Sequence, residues 1–391
     1  MKSRVSIVKC PDYTADVSSA VRAAVELIGG MEAFVRPGER ALLKPNLLSP
    51  YHPDRAVTTH PSVVEGAAEL VLAAGASCSV GDSPNITAES VEAYKRLLEK
   101  TGMQGVADRI GIKTVRFDVG SREHDVDGAK VFHKISLSSA LDDADVLVDI
   151  PKFKTHALTM ITGAVKNLFG CVNVRPKIEY HLKAGDRPEL FAQALVDILR
   201  EVRPKLTIMD AIVGMDGAGP SSGRPSPFGF ILASADPVAV DAVACLAAGV
   251  DPMTIPMLRL AHEQGLGMAD PSEIETVGAS IDEIRIPDFE MPPRNDFVSR
   301  MPRPIYKMLR SGLIRFPIIL HQKCVRCGTC VKACPVEAIR EDGGLLKIDY
   351  AKCIRCYCCQ EACPHAAILI RSGLIRRTAE LFTRIGRRKG R

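Results

Sequence analysis

Short apolar runs alternate with longer amphipathic segments through roughly the first 280 positions of the chain. Val5–Val8, Ala41–Leu43, Ser77–Val80, Lys113–Phe117, Val131–Leu137, Ala144–Ile150, Leu206–Met209 and Phe228–Ala233 read as strands. Between them, helical spacing covers Val17–Leu27, a segment opened by His60-Pro61 and closed by Gly75, Glu89–Lys100, Leu158–Phe169, Pro188–Val202, and a run from Asp236-Pro237 to Ala248. Strands alternating with helices of this length predict an α/β domain with a mostly parallel sheet over residues 1–290.

Unusual polar clusters sit just after several of these strands: Lys44-Pro45-Asn46, Asp82-Ser83, Lys152–His156, and Asp210 followed by the glycine loop Gly214–Gly223. In open parallel sheets ligands bind outside the carboxyl ends of the strands, so strands sharing one sheet would bring these clusters to one edge. The candidates for holding an anion there are Lys44, Asn46, Lys152, Lys154 and Lys166, with His156 and Asp210 as candidate proton donors and Asp82 and Asp216 as opposing charges. Any one of these lysines alone reads as a solvated surface charge; their grouping on loops after strand ends carries the argument. The glycine loop matches neither the dinucleotide-binding nor the P-loop pattern. Asp236 and Asp241 read as helix caps.

Past residue 320 the chemistry changes. Nine of the thirteen cysteines fall between Cys324 and Pro364, and eight of them repeat one pattern: Cys324, Cys327, Cys330, Cys334-Pro335, then Cys353, Cys356, Cys359, Cys363-Pro364. Each half reads C-x2-C-x2-C-x3-C-P, a spacing that lets one short loop supply three sulfurs to a cubane while the fourth faces a second cluster. Zinc is the alternative, since C-x-x-C pairs also bind it tetrahedrally. The two halves are offset by 29 residues, and the apolar run after each proline matches as well, which predicts a pseudo-two-fold α+β unit. Cys358, outside the repeat, reads as a packed thiol, with a ligand swapped for Cys359 as the alternative.

The stretch resembles the bacterial two-cluster ferredoxins. That resemblance implies two [4Fe-4S] clusters, one held by Cys324, Cys327, Cys330 and Cys363 and the other by Cys353, Cys356, Cys359 and Cys334. Residues 1 to about 280 resemble the domain family DUF362, through KPNLL at Lys44, GDSP at Gly81, PKFKTHALTMITGAVKNLFG at Pro151, the Asp210–Gly223 loop and SADPVAVDAVA at Ser234. The resemblance implies the architecture more than the reaction.

Charge sharpens the division. Residues 1–296 carry 31 Lys+Arg against 40 Asp+Glu, and residues 297–391 carry 20 against 6. No acidic residue lies between Phe297 and Val336, and Arg310–Arg315 reappears letter for letter as Arg371–Arg376. These arms, a linker at 291–320 and a tail at 371–391 bracketing a ferredoxin unit at 321–370, read as docking segments for the acidic domain or for an acidic redox partner protein. Peripheral contact with an anionic membrane surface is the alternative. Nucleic acid is not expected, because aromatic interleaving is absent. The start of the chain shows no signal peptide and no run of about twenty apolar residues occurs, so the expectation is a cytoplasmic protein, with the inner membrane face as a peripheral site. A thiolate-rich chain with an odd cysteine count is a poor disulfide framework. No flavin, haem or nicotinamide signature is visible.

The expectation is an iron–sulfur oxidoreductase passing electrons to or from a small anionic substrate in the α/β crevice. Its rival is a ferredoxin-type carrier whose large domain only docks partners.

Overall fold

The computed structural model describes residues 2–83, 90–185, 187–292 and 315–373. Most of the basic linker and nearly all of the basic tail, including the repeated hexapeptide at 310–314 and 374–376, lie outside the described residues.

The chain enters on β1 (Ser3–Lys9) and α1 (Val17–Glu26), then β2 (Arg40–Pro45), α2 (Pro61–Ala73) and β3 (Ser77–Asp82). Next come α3 (Val91–Lys100), α4 (Met103–Ile110), β4 (Lys113–Arg116), and the hairpin of β5 (Ser121–Asp125) and β6 (Lys134–Ser138). β7 (Val146–Ile150), β8 (Lys152–His156) and β9 (Met160–Thr162) precede the helices α5 (Ala164–Asn167), α6 (Val174–Ala184) and α7 (Pro188–Val202). The domain closes with β10 (Leu206–Asp216), β11 (Arg224–Ser234), α8 (Pro237–Ala247), α9 (Pro256–Glu263) and β12 (Ile274–Gly278).

One sheet runs in the order β12-β1-β11-β10-β7-β2-β3-β4, with β8 paired to β10 and β9 to β8. All of these pairings are parallel except those made by β11 and β9, so the sheet is mostly parallel. Two apolar cores cover its faces. One gathers Val17, Val21, Val63, Val71 and Leu97 from α1–α3, and the other Leu168, Phe191, Leu195, Val240 and Leu258 from the helices after β9. Burial on both faces explains why the central strands read as continuous apolar runs. Helix starts follow local chemistry: Asp236 accepts from the Val238 and Ala239 N–H groups ahead of α8, and His60 caps α2. Asp241 caps a different helix, accepting from Ala164 and Val165 at the start of α5.

Three expectations change here. Lys152–His156 is a strand, not a polar loop, because β8 continues β7 past Pro151 and keeps pairing with β10. Leu158–Phe169 is not one helix, since Met160 turns at a φ of 73° into β9 and only Ala164–Asn167 is α-helical. β10 does not stop at Asp210 but runs on to Asp216, so the glycine loop is the turn between β10 and β11.

The cysteine-rich unit begins earlier than expected, at β13 (Arg315–Ile319), a segment assigned to the linker. That strand pairs antiparallel with β16 (Ile368–Ser372) across the start and end of the unit. Between them lie α10 (Thr329–Lys332), β14 (Ile339–Asp342), β15 (Leu345–Ile348) and α11 (Cys358–Ala362). Its small core is built from Ile339, Leu346, Ala367, Ile368 and the cysteines themselves. Tyr357 and Ile370 pack instead into the larger domain's core.

The two units are clamped by polar contacts that centre on α11. Gln360 Nε2 donates to the carbonyls of Ala218 (2.9 Å) and Gly219 (3.2 Å), and Ser221 Oγ donates to the carbonyls of Gln360 and Glu361 (3.1 and 3.2 Å). The Tyr51 hydroxyl donates to the Cys363 carbonyl at 2.7 Å. The glycine loop thus holds the cysteine-rich unit. Gly219 has to be glycine there, because a Cβ would run into the Thr155 carbonyl of β8.

Candidate functional site

The backbone repeats with the cysteines. Positive φ occurs at Arg326 (56°) and Arg355 (61°), at Gly328 (75°) and Tyr357 (64°), and at Glu337 (49°) and Ala366 (50°), each pair 29 residues apart. Left-handed residues between right-handed ones turn successive N–H groups to one side, an arrangement suited to an anionic group. Two amides at matched positions point at sulfur: Ala338 N–H to Cys334 Sγ at 3.1 Å, and Ala367 N–H to Cys363 Sγ at 3.3 Å.

The sulfurs gather around two hollows. Cys324, Cys327, Cys330 and Cys363 line one, and Cys334, Cys353, Cys356 and Cys359 line the other. Four thiols around each hollow, with backbone N–H groups aimed at sulfur, are a donor set that fits a four-iron cluster. Each hollow has two buried cysteines, Cys330 and Cys363 in the first and Cys356 and Cys359 in the second, and the first also has the one exposed sulfur residue of the eight, Cys327.

A cavity of about 120 Å³ lies where the domains meet. The sheet edge contributes Asn46 after β2 and Asp82-Ser83 at the end of β3; α5 contributes Lys166 and Asn167, and α6 contributes Lys177 and His181. The facing wall belongs to the cysteine-rich unit: Ala333 and Pro335 flank Cys334, and Cys358, Glu361 and Ala362 come from α11. Lys166 Nζ and Lys177 Nζ each lie 5.8 Å from the Phe169 ring centre, so both cations border the same aromatic floor. Lys177 also donates to the Ser83 carbonyl (2.6 Å) and hydroxyl (2.9 Å). Burial lowers its pKa to about 7 against the opposing pull of Asp82.

Of the residues expected to bind an anion, Asn46 and Lys166 line this cavity. Lys44 lies behind its wall, where Nζ pairs with Asp82 Oδ1 at 2.8 Å and both side chains are buried. Burial opposes the charged form of Lys44, but Asp82, with Cys171 and Asp149, outweighs it and holds the pKa above the usual value. Gly170 covers this pair, since a Cβ there would strike the Asp82 carboxylate and the Lys44 ammonium.

Lys152, Lys154 and Asp210 require correction, because the structure encloses all three away from the cavity wall. Lys152 Nζ contacts Asp210 Oδ2 at 2.9 Å and the Tyr13 hydroxyl at 2.5 Å. Asp210 also accepts from the Tyr13 hydroxyl at 2.8 Å and from the His60 N–H at 2.9 Å, while the Tyr13 and His60 rings stack at 3.6 Å. Lys154 donates to Asn46 Oδ1 (2.7 Å) and the Val57 carbonyl (2.5 Å), and burial, with Lys166 and Lys152 nearby, drives its pKa well down. The reason is that β8 is covered on both faces, so its lysines find internal acceptors instead of solvent.

His156 is also fully buried, but it faces the domain junction. Its Nδ1 accepts from the Leu158 and Thr159 N–H groups, which leaves the proton on Nε2. Nε2 lies 2.9 Å from Glu361 Oε1 of α11, a distance within ion-pair range although the contact is off hydrogen-bond alignment. Burial lowers the His156 pKa to about 4, with Lys166 reinforcing and Glu361 opposing. Glu361 stays ionised: burial works against its charge, but His156 and Lys166 outweigh it and hold its pKa far below the usual carboxylate range.

Sequence reasoning missed Tyr13, His60, Lys177, His181, Glu361 and Asp149. Lys177 and His181 carried a signal, being four residues apart and therefore on one helical face. Glu361 was hidden inside the cysteine motif. Asp149, held at about 8 by burial, accepts from Asn167 Nδ2 at 2.7 Å and was masked by the apolar run around it.

Fold and sulfur sets together define an α/β domain fused to a ferredoxin-type iron–sulfur unit. A family model for DUF362, a domain of unknown function, matches residues 41–246, and one for a 4Fe-4S dicluster domain matches residues 316–364. The chain belongs to the DUF362 family and carries a 4Fe-4S dicluster domain of the kind that transfers electrons. It is 34% identical over 332 residues to a thylakoid-associated protein of Synechocystis sp., spanning 82% of this chain and 99% of that one. Among solved structures, the lactate racemase apoprotein of Thermoanaerobacterium thermosaccharolyticum aligns with a TM-score of 0.41 at 11% identity, over 64% of this chain and 58% of that one. A Thermotoga maritima protein aligns at 0.34 and 13%, over 53% and 52%. Among the described residues, no helix is long and apolar enough to cross a membrane.

Proposed function

We propose that the chain is an iron–sulfur oxidoreductase that passes single electrons between two [4Fe-4S] clusters and a small anionic substrate held in the cavity at the domain junction. One observation carries the reading: the neighbours of Cys334 and Cys359 form one wall of the cavity, and Lys166 and Lys177 stand on the opposite side. Cys324, Cys327, Cys330 and Cys363 would hold one cluster, and Cys334, Cys353, Cys356 and Cys359 the other. When bound, such clusters supply single electrons at potentials of roughly −700 to +450 mV, set by hydrogen bonds to sulfur and by exposure.

The residues of the chain supply the rest. The amides of Ala338 and Ala367 hydrogen-bond sulfur and so favour added negative charge there. Lys166 and Lys177 bind and orient an anion against Phe169. Glu361 and His156 cross the domain boundary and fix the wall, and His156 and His181 are the imidazoles near enough to move a proton alongside an electron; burial keeps both neutral, at pKa values of about 4. The internal pairing of Asp210 gives it a structural role instead. Cys327 and the neighbouring Val325, which is 59% exposed, offer the edge at which a redox partner protein would exchange electrons. The description of the Synechocystis relative as thylakoid-associated supports a peripheral membrane position for this chain too, through its basic arms.

The test uses anaerobically purified full-length protein, expected to carry about eight iron per chain. Acetate, propanoate, succinate and phosphate are added to the reduced protein while EPR is recorded. At least one of these anions should shift the signal, and Lys166→Met with Lys177→Met should abolish the shift without loss of iron. A shift that survives both substitutions overturns the site, and no shift with any anion leaves the carrier role.

A further inference from the structure

The cavity wall carries more than charge. Asn167 is 3% exposed, and its Nδ2 donates to the Lys44 carbonyl at 3.1 Å and to Asp149 Oδ1 at 2.7 Å. A backbone carbonyl can only accept, so the amide cannot be reversed, and Oδ1 is fixed as an acceptor without a partner among the described residues. Thr162 Oγ1 and His181 Nδ1, on the same wall and buried, also have no partner among the described residues. Buried polar atoms are normally satisfied, so three on one cavity wall point to an occupant that completes them.

That occupant has to present opposite chemistry at two places. Beside Lys166 and Lys177 it must offer negative oxygens. At Asn167 Oδ1 it must offer an N–H or O–H hydrogen, because a second carboxylate there would meet an acceptor, with the carboxylates of Asp82 and Glu361 also on the wall. Leu48, Phe169 and Ile178 supply apolar surface for a short carbon body, and a space of about 120 Å³ suits a small ligand. Accepting the anion site proposed above, we infer that the ligand is a short monocarboxylate carrying a hydroxyl or amino group, its carboxylate at Lys166 and Lys177 and its donor at Asn167 Oδ1 and Thr162 Oγ1.

The test compares matched ligands by calorimetry on the cluster-loaded full chain: propanoate with 3-hydroxypropanoate and 3-aminopropanoate, butanoate with 3-hydroxybutanoate, and succinate as the two-carboxylate control. A buried acceptor left unpaired shifts an equilibrium by about tenfold or more, so a donor-bearing member of a pair should bind at least about tenfold tighter than its plain partner, and succinate weakly. Asn167→Leu should erase the difference. That variant also loses the contacts to Lys44 and Asp149 and can fail to fold, so Thr162→Val serves as the second probe. Its hydroxyl has no partner among the described residues, and its loss should weaken only the donor-bearing ligand. Equal binding within both pairs, or a preference untouched by Thr162→Val and Asn167→Leu alike, overturns this inference and spares the anion site. Binding of no carboxylate overturns this inference, and the anion site falls with it only if phosphate also leaves the EPR signal of the reduced protein unshifted.

Discussion

Lys152→Ala separates a structural lysine from a ligand-binding one. Lys152 Nζ lies 2.9 Å from Asp210 Oδ2, and both residues have no exposed surface. Removing the ammonium leaves a buried carboxylate without its counter-charge, which costs about 3–5 kcal/mol. Asp210 keeps the Tyr13 hydroxyl (2.8 Å), the His60 N–H (2.9 Å) and the Ile212 N–H (3.2 Å), so the lower end, about 3 kcal/mol, is the working figure. Against a total stability of about 5–15 kcal/mol this is a large fraction. It corresponds to a fall in Tm of about 6–12 °C. Circular dichroism melts and urea midpoints, with iron content followed in parallel, make the measurement. The paired variant Lys152→Met with Asp210→Asn should recover most of the loss, because it removes both charges together. A Lys152→Ala protein within about 1 kcal/mol of the parent would refute the argument. So would a stable variant that no longer binds anions, since Lys152 would then be the ligand residue that its place in the sequence suggested.

Three further outcomes are expected. Asp149, with a pKa raised to about 8 by burial, keeps its proton in the folded state where the unfolded chain has lost it, so it lowers stability progressively as pH rises from about 4 to 8. Asp149→Asn should therefore gain on the parent by up to about 1.4 kcal/mol per pH unit across that window and level off above it, as read from urea denaturation at stepped pH. Lys177 has a pKa lowered by burial to about 7, with Asp82 and Cys171 opposing the shift and Lys44 and Lys166 adding to it, so carboxylate affinity should fall as pH rises through 7; in Lys177→Arg, titrated calorimetrically between pH 6 and 9, that fall should be absent. Gln360→Ala combined with Ser221→Ala removes the hydrogen bonds around α11, each worth about 1 kcal/mol, and should speed limited proteolysis between the two units while iron content stays constant.

The iron–sulfur unit was legible because its pattern is local: two-residue spacings put three cysteines on one loop, and the whole pattern returns after 29 residues. Pro188–Val202 was legible for a similar reason, a strong period opened by a proline. The polar strand β8 was not. Lys-Phe-Lys-Thr-His reads as a loop until Asp210, Asn46 and the Val57 carbonyl are known to take up its ammonium groups, and those partners lie far away in sequence. The strand-end rule did reach part of the junction cavity, since Asn46 and Asp82 stand on its wall. It could not find the facing wall. Ala333, Pro335, Cys358 and Glu361 reach the cavity only because α11 is clamped by the glycine loop and Tyr51, contacts that neither unit's own pattern encodes. A tethered electron carrier needs nothing from its neighbour beyond proximity. Here α11 carries both Cys359 of one sulfur set and the carboxylate that lies 2.9 Å from His156 Nε2, so the two units meet at a junction that neither builds alone.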